Sequence, residues 1–190
     1  MENLYSLIMN LIGNANSFGI TIDCLLIIIE SVIPPLPLGV FITILFINYG
    51  ILIGFIISWI FTVIGCILSF YLFQTLFKKL VDKYIRKNKY INKLITLVDN
   101  IKFNDLVLII SIPFTPAFLV NIAAGVSKMS IKKFIPAILI GKISLVLFWG
   151  LVGTNLIESL KNPIAILKVI IIVFTTLIIS KIVSKKLNIE

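Results

Sequence analysis

Histidine is absent from this chain, arginine occurs once, at Arg86, and only 13% of the residues are charged. The commonest catalytic base and metal ligand is therefore missing. The two cysteines, Cys24 and Cys66, lie in separate apolar runs. That excludes a disulfide framework or a metal-ligand spacing and leaves them as small core hydrophobes. No nucleophile stands beside a base, so neither an enzyme nor a bound metal or cofactor is expected. Basic residues are also missing from a whole section, since no Lys or Arg occurs between Met1 and Phe77. Without a basic n-region before the first apolar run, a cleaved signal peptide is not expected. No stretch outside the apolar runs is long enough to fold alone, so the 190 residues read as one integral membrane domain.

What is present is apolar. Hydrophobic residues make up 59% of the chain and the mean hydropathy is +1.15, whereas soluble domains hold roughly 45–50% apolar and about 25% charged residues. The abundance of Ile, Lys and Asn points to an AT-rich bacterial genome and so to the bacterial inner membrane. A net charge of +9 can signal nucleic acid, but the basic residues here flank apolar runs. They read as topology signals and as contacts to anionic lipid headgroups, with no nucleic-acid partner.

The organising stretch is Glu30-Ser31-Val32-Ile33-Pro34-Pro35-Leu36-Pro37-Leu38-Gly39. A carboxylate at bilayer depth costs a few kcal/mol or more and normally faces protein or a wet cavity. Pro34, Pro35 and Pro37 remove donors and clash with the preceding turn, so a helix arriving at Ile33 cannot run straight through. Broken backbone survives at this depth only when packed in protein or lining water. Thr21 to Ile33 and Leu38 to Asn48 form the two arms, each about half the ~20 residues that a crossing needs. Tyr49-Gly50 punctuates, and Ile51 to Phe77 is an uncharged run of spanning length.

Charge decides how the arms are read. Lys78, Lys79, Lys83, Arg86, Lys87, Lys89 and Lys93 arrive together after Phe77, which makes this loop cytoplasmic by the positive-inside rule. A re-entrant hairpin entering and leaving from outside then satisfies both ends of the first half. The second half repeats the layout. Leu106 to Ile112 leads to Pro113-Phe114-Thr115-Pro116, Ala117 to Gly125 returns, and Phe134–Thr154 and Pro163–Ser180 span. The Pro-x-x-Pro frame of Pro34 and Pro37 is matched by Pro113 and Pro116. Two broken elements in corresponding positions point to an inverted repeat with a site at its centre. The fold expected is an all-α polytopic membrane protein. It has two Pro-broken re-entrant hairpins, three transmembrane helices and an N-terminal interfacial helix over Asn3–Gly13. The first half is 1–77, the basic cytoplasmic loop 78–104 and the second half 105–186, with the C-terminus also cytoplasmic.

The Glu30-x-x-x-Pro34 hairpin, the Gly-bearing span and the run Ile112-Pro113-Phe114-Thr115-Pro116 to Leu119-Val120-Asn121-Ile122-Ala123-Ala124-Gly125-Val126-Ser127 together carry a resemblance. The chain resembles the DedA/VTT superfamily, in particular its SNARE-associated Golgi protein-like branch, over roughly residues 20–160. The resemblance implies paired re-entrant hairpins and movement of lipids between leaflets: phospholipid scrambling or undecaprenyl phosphate recycling, coupled to proton or ion gradients. Many members carry arginine around the second proline motif, whereas here Ile110 and Ser111 stand there.

Among individual residues, Glu30 is the leading candidate, as proton carrier, headgroup contact or structural acid for the broken hairpin. Lys142 falls nine residues after Lys133, roughly 13 Å along a helix. It either pairs with Glu30 or a lipid phosphate, or snorkels to the interface. Asn121 meets a headgroup or satisfies freed backbone. Pro34, Pro35, Pro37, Pro113, Pro116 and Gly125 shape the hairpins, Asp105 caps a helix, and Lys168 snorkels. The function expected is a transporter of lipid or lipid-linked phosphate between leaflets. The alternatives are a proton- or ion-coupled small-solute antiporter and a non-transporting structural membrane protein.

The orientation is directly testable. In a chain with Cys24 and Cys66 replaced by alanine, a cysteine at Tyr49 is expected to react with an impermeant maleimide on intact cells. One at Lys87 should react only after permeabilisation, and the opposite pattern would reverse the topology.

Overall fold

The computed structural model describes residues 17–33, 36–76, 89–113, 117–162 and 164–187. The expected N-terminal interfacial helix and residues Lys78 to Lys87 of the basic loop lie outside them. Seven helices follow in order: α1 (Ser17–Glu30), α2 (Leu38–Thr75), α3 (Lys89–Asn100), α4 (Phe103–Ser111), α5 (Ala117–Val126), α6 (Ile131–Glu158) and α7 (Ile164–Leu187). No strand occurs among the described residues. Among the described residues, three stretches are long and apolar enough to cross a membrane: Leu38–Thr75, Ile131–Glu158 and Ile164–Val183.

The long α2 is two helices joined at Gly50, whose φ of 76° and ψ of 170° are not helical. Only glycine adopts that region without strain. Across a straight helix, residues 46 and 54 would stand about 12 Å apart at 1.5 Å per residue. Instead, a Cβ on Gly54 would sit 2.8 Å from the Phe46 Cα and 2.7 Å from the Leu45 carbonyl oxygen. The chain therefore folds back at Gly50, and the Leu38–Tyr49 arm lies against the start of the following span. The punctuation expected at Tyr49-Gly50 is a reversal.

Packing follows small residues. A Cβ on Gly65 would meet Ser31 Oγ at 2.5 Å and Ile28 Cα at 3.1 Å, so α1 presses its C-terminal turn onto the middle of α2. Gly141 of α6 receives Ile110 and the Val107 carbonyl of α4 in the same manner, and Gly125 of α5 lies against the Phe70 carbonyl and the Phe73 side chain of α2. Gly125, expected to shape the hairpin, is inside α5 and serves instead as a contact that admits another backbone. The helices α2 and α6 pack against each other along the centre. One apolar cluster gathers α2, α3, α4, α5 and α6 around Phe70 and Phe134, whose rings stack with centroids 4.8 Å apart. A second joins Ile27 of α1, Ile42, Leu45 and Phe46 of α2, and Leu145 and Val146 of α6. Helix α7 touches α6 through Val169 against Phe148 and Val152, while Ile170, Ile171, Phe174 and Ile178 are exposed. That outward apolar face suits a lipid environment.

The stretch expected to be a basic loop over 78–104 contains the amphipathic helix α3. Its Ile95 and Val98 are buried while Thr96, Asp99 and Asn100 are exposed, so apolar residues recur on one side at helical spacing. The helix is fastened at its end. Asp99 Oδ1 accepts the Lys128 amide at 2.7 Å, and the Lys133 ammonium donates to the Ile101 carbonyl.

Gly50→Ala is expected to cost about 1–3 kcal/mol through its backbone conformation alone, because no neighbour crowds it. Gly54→Val, which drives methyl groups into the Leu45 carbonyl, should cost about 3 kcal/mol or more. Thermal unfolding in detergent measures both, and neutrality of both would argue against the reversal.

Candidate functional site

The site grows from one peptide carbonyl. In a helix the Ser31 carbonyl would accept from the amide of residue 35, or from residue 34 in a tighter turn. Both residues are proline and have no N–H. The chain tightens here, with Ser31 N donating to Ile28 O at 3.2 Å and Val32 N to Ile29 O at 3.0 Å, but the Ser31 carbonyl still lacks a helical donor. Asn121 Nδ2, from the return arm of the other proline-broken element, donates to it at 3.4 Å. The same amide group lies 3.5 Å from Cys66 Sγ. Asn121 is 3% exposed, and its side chain links the segments beside the two proline motifs.

Beside this junction, Glu30 ends α1 at 9% exposure, and Lys142 of α6 is 2% exposed. Lysine is almost never this deeply buried without a compensating group. The Lys142 charge lies within electrostatic range of the Glu30 carboxyl. The position of Lys142 has identifiable causes. Gly141 brings α6 onto Ile110 of α4, and Trp59 Nε1 donates to the Leu139 carbonyl at 2.9 Å, clamping α6 to α2 one turn earlier. Lys142 is buried in this packing, whereas Lys168 on α7 is exposed.

The other expected residues separate clearly. Pro37 stands at the N-cap of α2 and Pro113 is a buried turn residue. Pro34, Pro35 and Pro116 lie outside the described residues. Asp105 occupies the first turn of α4, without a side-chain cap hydrogen bond from the N-cap residue, Lys102.

Two features escaped the sequence reading. Asp23, on α1, is buried to 9% exposure. It stands seven residues before Glu30, two helical turns, which puts both acids on one face of α1; that spacing was the available signal. The second is a row on α2, Ser58, Thr62, Cys66 and Ser69, at intervals of three and four residues, with Gly65 beside Cys66, and wholly buried. Thr62 Oγ1 donates to the Ser58 carbonyl at 2.5 Å, while the hydroxyls of Ser58 and Ser69 have no hydrogen-bond partner among the described residues. Polar groups this deep are normally paired. The core of this apolar protein therefore holds a buried polar row on α2, besides a buried acid on α1 and a buried cation on α6. No group of three or more His, Cys, Asp or Glu suited to a metal occurs among the described residues.

The VTT domain profile matches residues 33–155. The chain belongs to the VTT-domain (DedA) family. The match takes in Asn121 and Lys142 and begins three residues after Glu30. A relative described as the uncharacterized membrane protein YhjE of Bacillus subtilis (strain 168) is 29% identical over 174 residues, covering 92% of this chain and 84% of that protein. No solved structure matches the chain. The protein is thus a VTT-domain membrane protein with three candidate spans.

Asn121→Ala is expected to destabilise this VTT-domain protein by about 1 kcal/mol, through the Ser31 carbonyl left without a donor. Lys142→Met should destabilise by more, because Glu30 stays buried without its cation. The double variant Glu30→Gln/Lys142→Met should lose less than the sum, with a coupling of about 1 kcal/mol. Strict additivity in detergent unfolding would disconnect the two groups.

Proposed function

We propose that this protein moves a phospholipid or lipid-linked phosphate between the leaflets of the bacterial inner membrane, and that it is a transporter with no catalytic chemistry of its own. The observation that carries this reading is a buried acid and a buried cation within electrostatic reach of each other, where two proline-broken elements meet. Lys142 is the group that attracts the lipid phosphate, taking the part that arginine plays in many relatives. Glu30 exchanges a proton or holds Lys142 while no phosphate is bound. The row from Ser58 to Ser69, with its unpaired hydroxyls, offers polar contacts to a headgroup whose acyl chains remain in lipid.

The reading includes two re-entrant hairpins arranged as an inverted repeat, and the pattern of close contacts supports it. The first arm of each half rests on a glycine of its own long helix: α1 on Gly65, α4 on Gly141. The second arm of each half rests on the long helix of the other half. Helix α5 packs on α2 at Gly125, and the Leu38–Tyr49 arm packs on α6, where Thr43 Oγ1 lies 3.5 Å from the Trp149 carbonyl oxygen. At 1.5 Å per residue, α4 and α5 are each about 14–15 Å long, half of the roughly 30 Å hydrocarbon layer. Opposite entry faces, a cytoplasmic basic loop and a cytoplasmic C-terminus follow from the distribution of lysine. Lys78 to Lys93 then rest on anionic headgroups.

Leaflet exchange in proteoliposomes tests the proposal. Purified protein should accelerate exchange of fluorescent phospholipid or polyprenyl phosphate. Glu30→Gln and Lys142→Ala should each lower the rate about tenfold or more, as loss of one charge-assisted contact implies. Exchange indifferent to both changes would remove the site from the mechanism. No exchange by folded protein would favour a proton- or ion-coupled antiporter using the same acid.

A further inference from the structure

Two elements hold the short helix α5. Gly125 lets it lie directly on the Phe70 carbonyl and the Phe73 side chain of α2, and α3 packs on it as well. Ile95 and Val98 of α3 enter the same apolar cluster as Val120, Ala123 and Ala124 of α5. At 12 residues, α3 is marginal as a helix by itself, so its place depends on what fastens it. Ser127 Oγ donates to the Ala124 carbonyl at 2.8 Å and accepts the Met129 amide at 3.0 Å, which turns the chain just after α5. The Lys128 amide in that turn donates to Asp99 Oδ1 at 2.7 Å, and the Lys133 ammonium donates to the Ile101 carbonyl. The chain entering α4 and the chain leaving α5 are thereby joined through the end of α3. Asp99 and Lys128 are exposed, so water competes for their bond. Against α4, α3 leaves a groove of about 470 Å³, bordered by Thr96 and Asn100 on one side and Asp105 and Ile109 on the other.

We propose that α3 is a strap over the second proline-broken element, shut in this structure, whose release uncovers the junction of Asn121 with Ser31 and Cys66. The two polar ties at its C-terminal end keep it down. Once they break, the groove beside α4 gives α3 room to tilt, and α5 keeps its contact with α2 alone. A helix of 10 residues held on one side opens more readily than α2 and α6, which are long and pack on each other. Asn121 stands in the middle of α5, with its amide nitrogen 3.5 Å from Cys66 Sγ. Movement of α5 therefore admits water to a thiol that is wholly buried while the strap is shut. The strap rests on packing and these ties, and it stands or falls separately from the proposed transport.

Amide hydrogen exchange of the detergent-purified full chain, read by mass spectrometry, tests it. In the wild type, α3 and residues 117–128 should exchange as one unit, about tenfold or more faster than the centres of α2 and α6. Asp99→Ala should speed that unit about fivefold further, as loss of one exposed hydrogen bond implies, and leave α2 and α6 unchanged. Asp99→Asn keeps an acceptor oxygen for the Lys128 amide and should stay within about twofold of the wild type. In a Cys24→Ala background, modification of Cys66 by methyl methanethiosulfonate should follow the same order, with Asp99→Ala about fivefold faster. The Asp99 side chain is exposed, so its variants probe a surface tie in folded protein. Three outcomes would each overturn the strap: α5 exchanging only together with α2 and α6, α3 exchanging alone, or Cys66 reactivity indifferent to Asp99→Ala.

Discussion

Inside a membrane there is no water to repair a broken helix, so each carbonyl released by a proline must find its donor within the protein. Ser31 is the clearest case. Both residues that would donate to its carbonyl in a helical turn are prolines, and the donor is supplied by Asn121, ninety positions later in the chain. This single requirement links the two proline-broken elements. It also explains why α1 ends where it does and why α5 must approach α2 closely enough to need glycine at position 125.

From that junction the energetics of the core follow. Apolar side chains alone would make a more stable interior than one holding Glu30, Asp23, Lys142 and unpaired serine hydroxyls. Buried charges are compensated by partners but seldom become a net source of stability. Their presence in the core of a VTT-domain protein, where the surrounding helices expose isoleucine and leucine to lipid, concentrates polarity in one place. In the proposed function, a headgroup passing through such a seam would exchange its hydration for fixed polar groups while its chains stay outside. The cation on α6 offsets part of the acidity buried on α1.

The two glycine contacts of the first arms, at Gly65 and Gly141, and the reversal at Gly50 share a physical cause. Short helices cannot gain stability from length, so they gain it from close backbone approach, where dispersion contacts are dense. Helix α3 solves the same problem at the surface, with one apolar side on the core and a polar side outward. Its end is tied by Asp99 and Lys133.

Much of this was legible in the sequence. Composition established the membrane class, prolines marked where helices stop, Tyr49-Gly50 marked a break and lysine counts suggested an orientation. Glu30, Asn121 and Lys142 stood out because each is a polar group in an apolar run, and that contrast does not depend on the fold. Helix α3 was missed because its lysines masked a helical apolar pattern. Asp23 does not stand out by itself, although its two-turn spacing to Glu30 is visible in the sequence. Only tertiary structure could decide that Asn121 reaches Ser31, that Lys142 is drawn inward rather than toward the interface, and that Gly125 is a contact within a helix. Local sequence determines which backbone groups are left unsatisfied and where helices end. Which distant side chain satisfies them depends on how separate helices pack, and no local pattern carries that information.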